Sequence, residues 1–168
     1  ADLISLHVPL TEHGDDATRH LIDEARLRAL GTRRTLISTC RGAVIDNAAL
    51  SRYLSRGDGP LTFLDVWEGE PRLAPALLDR VYLGSPHVAG YSVEGKRLGS
   101  LMLYQAWCQW RGAAPTSAPE QGTRRLLSQD VNDESQLLAL LRHAYRLHED
   151  DQRLRRSLRE SDPGSAFD

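Results

Sequence analysis

Short apolar segments alternate with helical segments through the first half of the chain. Four segments favour β-strands, since they are short, rich in branched apolar residues and bounded by Pro, Gly or charged residues: DLISLHVPL (2–10), TLISTC (35–40), LTFLDVW (61–67) and VYLGSPH (81–87). Three segments between them favour helices by their apolar spacing: LIDEARLRAL (21–30), DNAALSRYLSRG (46–57) and PALLDRV (75–81). This order predicts an α/β fold in which helices cover both faces of a parallel sheet.

The pattern changes after residue 93. Residues 94–111 favour one long amphipathic helix. The stretch GAAPTSAPEQG (112–122) has the Pro, Ala and Gly content of a linker, which we extend to residue 133. Residues 134–158 favour one or two helices with a strongly charged second half, which is more typical of a solvated face than of a binding patch.

The charge balance argues against two classes of partner. The 21 basic and 23 acidic residues give a formal net charge of −2 and are mixed along the chain, so neither a nucleic-acid surface nor a membrane surface is expected. Cys40 and Cys108 are far apart and form no metal-binding pattern, so we expect no metal site. With no leader sequence visible, a reduced cytoplasmic protein is the expectation.

Four polar side chains lie at or just after the carboxyl ends of the predicted strands. Arg41 follows TLISTC. Asp65 lies in the third strand segment, Glu70 comes five residues later, and His87 ends the fourth segment. Each has an ordinary alternative as a cap, a surface charge or a structural histidine. Because ligands bind beyond the carboxyl ends of parallel strands, we expect the four side chains at one edge of the sheet.

These residue types suit the oxidation of a 2-hydroxy acid by a nicotinamide. A guanidinium such as that of Arg41 can grip a carboxylate with two hydrogen bonds. An imidazole such as that of His87 exchanges protons near neutral pH, and a carboxylate such as that of Glu70 would orient the ring and favour its charged form. Asp65 could accept a hydrogen bond from the amide of a cofactor. The residues alone leave other interpretations open.

Three motifs resemble the signature blocks of the NAD-dependent D-isomer 2-hydroxyacid dehydrogenases: STCRGAVIDNAAL (38–50), LDVWEGEP (64–71) and SPHVAGYSVEGKRLG (85–99). The resemblance covers residues 1 to about 112. It implies a Rossmann-type fold, NAD as cofactor and hydride transfer as the chemistry. It also implies that Arg41, Glu70 and His87 form a catalytic trio, with His87 as the general acid/base.

The same resemblance implies further site residues. Asp65 would bind the nicotinamide amide, and Arg41 and Tyr91 would lie at the substrate. The remaining positions expected to line the cofactor, together with Arg41, are Val8, Thr39, Cys40 and Gly90.

The resemblance also divides the chain into regions. Residues 1–93 would be the second half of the NAD-binding domain. Residues 94–111 would form a long helix that returns towards the substrate domain, followed by the linker at 112–133. Residues 134–168 would be part of a C-terminal dimerisation domain, which most members of the family lack.

Three features resemble one branch of the family: the Trp and Gly of DVWEGEP (65–71), the segment GYSVEGK (90–96), and the charged tail from residue 144. Members of that branch oxidise a small phosphorylated 2-hydroxy acid and form homodimers through the extra domain. A phosphorylated four-carbon acid and a second copy of the chain are therefore the expected partners.

The glycine fingerprint of the family is absent from the sequence. The single G-x-G, GDG at 57–59, follows a helix and lacks the third glycine, so it indicates a turn. We therefore expect the chain to be a fragment that lacks the N-terminal part, and the choice between NAD and NADP stays open. The tail stops inside the segment that resembles a dimerisation domain, so we expect a cut at that end as well. The first strand would then have an unpaired apolar edge, so we expect the isolated chain to aggregate or fold poorly and to bind NAD weakly.

Two alternatives remain. The protein could be another member of the family, acting on phosphoglycerate or on glyoxylate and hydroxypyruvate, with the same trio. It could also be a non-enzymatic NAD-sensing protein of the corepressor type. The resemblance of the tail to a dimerisation domain argues against the second alternative.

Overall fold

The computed structural model describes residues 2–116 and 131–160. Their contacts form two compact units. Residues 2–87 and 144–160 make up the first unit, and residues 88–116 and 131–143 the second. The predicted linker lies mostly outside the described residues, and so does the end of the tail, 161–168.

A four-stranded parallel sheet forms the centre of the first unit. Its strands are β1 (Leu3–Leu6), β2 (Thr35–Ser38), β3 (Leu61–Leu64) and β4 (Leu83–Gly84), and they lie in the order β1-β2-β3-β4. This confirms the predicted α/β fold with a parallel sheet. The strands end earlier than predicted, because the residues after them leave the ladder and form loops at its carboxyl edge.

Three helices of the first unit lie in a row. They are α1 (Glu24–Leu30), α2 (Asn47–Arg56) and α3 (Pro75–Leu78), with a short 3₁₀ turn at Gly42–Val44 before α2. α1 packs against α2, and α2 against α3. Since consecutive strands are neighbours and parallel crossovers are right-handed, the three helices share one face of the sheet.

The two faces of the sheet differ in burial. Leu36 and Leu64 on one face are buried, whereas Leu3 and Leu61 on the other face are 53% and 45% exposed. The expectation that helices cover both faces is therefore wrong for the described residues. Periodicity shows that a strand is apolar on both sides, but it does not show that a covering element is present on each side.

Helix α2 shows how local sequence sets an element's limits. The Asp46 side chain accepts a hydrogen bond from the backbone N–H of Ala49 at 2.8 Å and caps the helix start. Leu50 and Tyr53 on its inner face are buried in the core. The helix ends at Gly57, whose φ of 77° is a left-handed conformation that glycine adopts without strain.

Helix α6 (Leu147–Ser157) packs against the outer edge of β4. The Asp151 side chain accepts a hydrogen bond from the backbone N–H of Gly84 at 2.8 Å, and Leu154 is fully buried in the core of the sheet unit. The sequence placed a boundary at residue 134, whereas the contacts group residues 144–160 with the sheet.

The second unit contains α4 (Val93–Arg111) and most of α5 (Glu134–Ala144). The Ser92 hydroxyl accepts a hydrogen bond from the backbone N–H of Gly95 at 2.9 Å and caps α4. The predicted long helix at 94–111 is thus present with one additional residue. Within the described ranges, no helix has the length and apolar character that spanning a membrane requires.

Candidate active site

The loops after β3 and β4 bring Glu70 and His87 into contact. His87 Nδ1 lies 2.6 Å from Glu70 Oε1, the distance of a short hydrogen bond. Both side chains are about 30% exposed, at 32% for His87 and 28% for Glu70. The pair is therefore partly screened from water and still open to a ligand. With Nδ1 directed to Glu70, the Nε2 atom on the other side of the ring can exchange a proton.

The backbone at His87 has an unusual conformation. Its φ of 56° lies in the left-handed region, which is uncommon for a residue other than glycine. The His87 N–H donates a hydrogen bond to the carbonyl of Asp65 at 2.7 Å, so the loop is held against the end of β3. Such conformations persist only where the surroundings fix them, and they concentrate at functional sites.

Glu70 is also bonded on its other oxygen. Oε2 accepts a hydrogen bond from the backbone N–H of Trp67 at 3.1 Å. The indole of Trp67 is buried and donates a hydrogen bond to the carbonyl of Ser85 at 2.9 Å. Trp67 therefore links the loop of Glu70 to the segment that leads to His87. The carboxylate meets the imidazole from a fixed direction.

Asp65 lies at the end of β3 and is only 5% exposed. Its Oδ1 accepts a hydrogen bond from the hydroxyl of Ser85 at 2.5 Å. The sequence placed Asp65 at this edge of the sheet but gave no sign of Ser85. Ser85 follows β4 without any local pattern that connects it to a residue twenty positions earlier.

Arg41 follows β2 and is exposed. Its Nη1 donates a hydrogen bond to the carbonyl of Cys40 at 2.7 Å, so the side chain folds back along the loop. It lines a groove of about 490 Å³ at the carboxyl ends of β1 and β2. The residues around this groove are His7, Val8, Pro9, Leu10, Thr39, Cys40 and Arg41.

The groove brings together four of the residues expected at the cofactor: Val8, Thr39, Cys40 and Arg41. It lies at the edge of a parallel sheet where nucleotides bind in such folds, and its lining mixes apolar and polar groups. The buried carboxylate of Asp65 follows the neighbouring strand β3 at the same edge of the sheet. In the described ranges, no cluster of three or more His, Cys, Asp or Glu side chains could hold a metal ion.

Gly90 and Tyr91 belong to the second unit. Gly90 has a φ of 76°, and Tyr91 is 70% exposed. The Lys96 ammonium lies 3.6 Å from the centre of the Tyr91 ring, a cation–π contact within this unit. The expected roles of Gly90 at the cofactor and of Tyr91 at the substrate remain predictions.

Sequence reasoning missed three further residues at the carboxyl edge: His20, Asn47 and Glu68. Glu68 hydrogen-bonds to His20 and to Asn47. Glu68 could have been found from the sequence, because it lies in the motif DVWEGEP, two residues before Glu70 and on the same loop. The contacts of Glu68 with His20 and with Asn47 join distant parts of the chain and have no local signature.

The family model for the NAD binding domain of D-isomer specific 2-hydroxyacid dehydrogenases matches residues 1–89, more than half of the chain, and the chain belongs to this family. The family consists of oxidoreductases, and NAD is the cofactor that this domain binds. The resemblance drawn from the three motifs is thereby confirmed.

Curated relatives define a branch within the family. Erythronate-4-phosphate dehydrogenases from Pseudomonas paraeruginosa and Pseudomonas aeruginosa are each 46% identical to the chain over 164 residues, which cover 94% of the chain and 43% of each relative. The enzyme of that name from Marinobacter nauticus is 42% identical over 175 residues, covering 99% of the chain and 46% of the relative. The chain therefore spans less than half the length of these relatives.

Solved structures agree with the family. The D-lactate dehydrogenase of Aquifex aeolicus, solved with NAD and lactic acid, matches with a TM-score of 0.53 and 30% identity, over 67% of this chain and 38% of that one. The NAD-complexed D-isomer specific 2-hydroxyacid dehydrogenase of Lactobacillus delbrueckii ssp. bulgaricus matches with a TM-score of 0.55 and 27% identity, over 70% and 39% of the two chains.

Proposed function

We propose that the protein oxidises a 2-hydroxy acid with NAD, and that His87 is the general acid/base. The observation that carries the proposal is the 2.6 Å contact between His87 Nδ1 and Glu70 Oε1 at the carboxyl edge of the sheet. In the oxidation, the substrate hydroxyl gives its proton to Nε2 of His87, and the hydrogen on the same carbon leaves as hydride. Bound NAD supplies the acceptor for that hydride.

Glu70 and Arg41 have separate roles in this proposal. The Glu70 carboxylate fixes the ring orientation and stabilises the imidazolium that forms as the proton arrives. The Arg41 guanidinium grips the substrate carboxylate with two hydrogen bonds. To do so it must exchange its present bond to the Cys40 carbonyl for the substrate, which an exposed side chain can do by rotating.

The cofactor would lie in the groove at the ends of β1 and β2. Val8, Thr39 and Cys40 line this groove, and the buried Asp65 would accept a hydrogen bond from the carboxamide. The family's description and the NAD-bound neighbours support NAD as the cofactor.

The proposed substrate is 4-phospho-D-erythronate, which the enzyme would oxidise to the 2-oxo acid in pyridoxal phosphate biosynthesis. Relatives with 42–46% identity are erythronate-4-phosphate dehydrogenases, which supports this choice. We propose that the protein acts in the cytoplasm. We also propose that it forms a homodimer, as the resemblance of the charged tail to a dimerisation domain implies.

The test is steady-state turnover of the intact protein, followed by NADH absorbance. We expect turnover of 4-phospho-D-erythronate to fall by about 1,000-fold in His87→Gln, within the usual contribution of general acid–base catalysis. The matched control is His148→Gln, an exposed histidine on α6, which should retain full activity.

Two results would reject the proposal in different ways. Activity on 3-phosphoglycerate or glyoxylate, with none on the four-carbon acid, would support the proposed reaction type and reject 4-phospho-D-erythronate as the substrate. Absence of turnover on every hydroxy acid, with NAD binding retained, would favour an NAD-sensing protein of the corepressor type.

A further inference from the structure

Glu68 joins the loop after β3 to two other loops of the first unit. Its Oε1 lies 2.8 Å from Nε2 of His20 and 3.4 Å from Nη2 of Arg19. Its Oε2 accepts a hydrogen bond from the backbone N–H of Asn47 at 3.4 Å. One carboxylate thus contacts both the segment before α1 and the start of α2.

The Asn47 side chain also hydrogen-bonds to the backbone of Glu68 and of the segment before α2. Its Oδ1 accepts a hydrogen bond from the backbone N–H of Glu68 at 3.2 Å. Its Nδ2 donates to the carbonyls of Ile45 at 2.9 Å and Gly42 at 3.2 Å. Asn47 therefore fixes the short segment that directly follows Arg41.

His20 completes the arrangement, which we name the rim clasp: His20, Asn47 and Glu68. The His20 N–H donates a hydrogen bond to the carbonyl of Ala43 at 2.7 Å, and the residue has a φ of 51°. The rim clasp connects the loop that carries Arg41 with the loop that carries Glu70. Arg41 directly precedes Gly42, whose carbonyl accepts from Asn47, and Glu70 lies two residues after Glu68.

The ion pair between Glu68 and Arg19, a neighbour of the rim clasp, contributes little to folding. The two side chains are 27% and 47% exposed, and ion pairs in that range of exposure add little stability. The effect of the rim clasp is therefore to set distances between loops. Displacement of a reacting group by about 1 Å can reduce a rate by about 100-fold.

We propose that the rim clasp holds the Arg41 loop in register with the Glu70 loop, and that Glu68 and Asn47 are positioning residues for the reaction. The inference rests on the proposed function, because it assigns the rim clasp a role in aligning the carboxylate grip with the His87–Glu70 pair.

The first experiment compares Glu68→Ala with Glu68→Gln in the intact protein. Glu68→Ala should lower kcat/KM for the hydroxy acid by about 100-fold while the unfolding midpoint changes little. Glu68→Gln keeps an amide oxygen that accepts from the Asn47 N–H and should restore most of the activity. The matched control is Glu24→Ala, which removes another inter-element pair, with Arg52 at 3.2 Å, and should leave kcat/KM unchanged.

Three results would overturn the role of Glu68: equal losses in Glu68→Ala and Glu24→Ala, a loss that only follows the fraction unfolded, or no rescue by Gln. A second variant tests the direction of the effect. Asn47→Ala releases the carbonyls beside Arg41, so KM for the hydroxy acid should rise more than kcat falls. An unchanged KM would contradict this.

Hydrogen exchange separates failure of the rim clasp from failure of the proposed function. Amides of residues 41–47 and 65–70 should exchange faster in Glu68→Ala than in Glu24→Ala, whether or not any hydroxy acid is turned over. Faster exchange in a protein without turnover would keep the rim clasp and reject the proposed function. Equal exchange in the two variants would reject the rim clasp.

Discussion

Glu70 contacts two groups at once, the imidazole of His87 and the backbone N–H of Trp67. A carboxylate held on both oxygens loses little further freedom when a substrate arrives. This preorganisation at the level of one side chain is what the proposed proton transfer requires.

The substitution Glu70→Gln tests this directly. The amide oxygen can still accept a hydrogen bond from the Trp67 N–H, but the variant loses the negative charge that would stabilise an imidazolium in the proposed reaction. We expect kcat to fall by about 100-fold with a smaller change in KM. Turnover measurements check this, with Glu149→Gln on the surface of α6 as the control. Equal kcat in both variants would exclude a role of the Glu70 charge.

Gly42 shows a second constraint at the level of one residue. A methyl group at its Cα would overlap the carbonyl of Trp67 and the backbone nitrogen of Glu68. Because both obstacles are backbone, Gly42→Ala should destabilise the protein by about 3 kcal/mol. Chemical unfolding measures this. Gly99→Ala, in open space within α4, should be neutral or slightly stabilising; similar losses in both variants would contradict the packing argument.

The sequence predicted which residues reach the carboxyl edge better than it predicted what supports them. Arg41, Asp65, Glu70 and His87 follow from strand ends and residue chemistry. The contact between Glu68 and Asn47 joins residues 21 positions apart, and nothing local marks it. Side-chain bonds to distant backbone groups depend on the folded path of the chain, and periodicity does not encode that path.

At the level of elements, α6 protects the edge of the sheet at β4. Arg155 donates to the carbonyls of Leu78 at 2.7 Å and Val81 at 3.2 Å, and its Nε pairs with Asp151. The Asp151 carboxylate also accepts from the Gly84 N–H. These bonds satisfy groups that an edge strand and a helix end otherwise expose.

Arg155→Ala should therefore destabilise the first unit by about 2 kcal/mol, since it removes charge-assisted bonds to two carbonyls. The neighbouring Arg156 makes one long bond to Gln152 at 3.4 Å, so Arg156→Ala should cost less than about 0.5 kcal/mol. Unfolding of the two variants side by side checks the difference. Equal stability would show that α6 is held mainly by Leu154.

A pH-sensitive hydrogen bond lies at the start of α6, within the first unit. Tyr145 donates to Asp150 at 2.5 Å, and this hydrogen bond, with smaller effects of burial and charge, raises the pKa of Tyr145 to about 12. A tyrosine in an unfolded chain has a pKa of about 10. Because the folded pKa is raised, the stabilisation is complete below about pH 10 and is lost as the pH rises towards about 12.

Absorbance of tyrosinate measures this titration. Asp150→Asn should move the alkaline step of Tyr145 down towards about pH 10, and Tyr145→Phe identifies that step by removing it. An identical titration in the wild-type protein and Asp150→Asn would contradict the assignment.

At the level of the whole molecule, one face of the sheet exposes apolar side chains that favour self-association. Leu3 and Leu61 are 53% and 45% exposed on it, and Ile37 and Phe63 are half-buried on the same face, where Leu83 of β4 is buried. Apolar patches of this kind favour association. The sequence predicted the apolar edge at β1, but the exposed face appears only once the strands are in register.

The 168-residue chain should therefore self-associate, and Leu61→Thr should reduce the association because threonine is polar and suits a strand. Sedimentation velocity measures this. The control is Val131→Thr, at a site 41% exposed outside the sheet, which should leave association unchanged. A monomeric wild-type chain at high concentration would contradict the expectation.

The docking of α6 also bears on where the polypeptide can be shortened. A cut at residue 112 or 134, the boundaries that composition suggests, would discard the carboxylate that caps Gly84 and the leucine that fills the core beside it. β4, the strand that precedes His87, would then lose the helix that packs against its outer edge. A minimal version of the sheet unit should retain the chain through residue 158, even though that segment is separated from β4 by more than sixty positions in sequence.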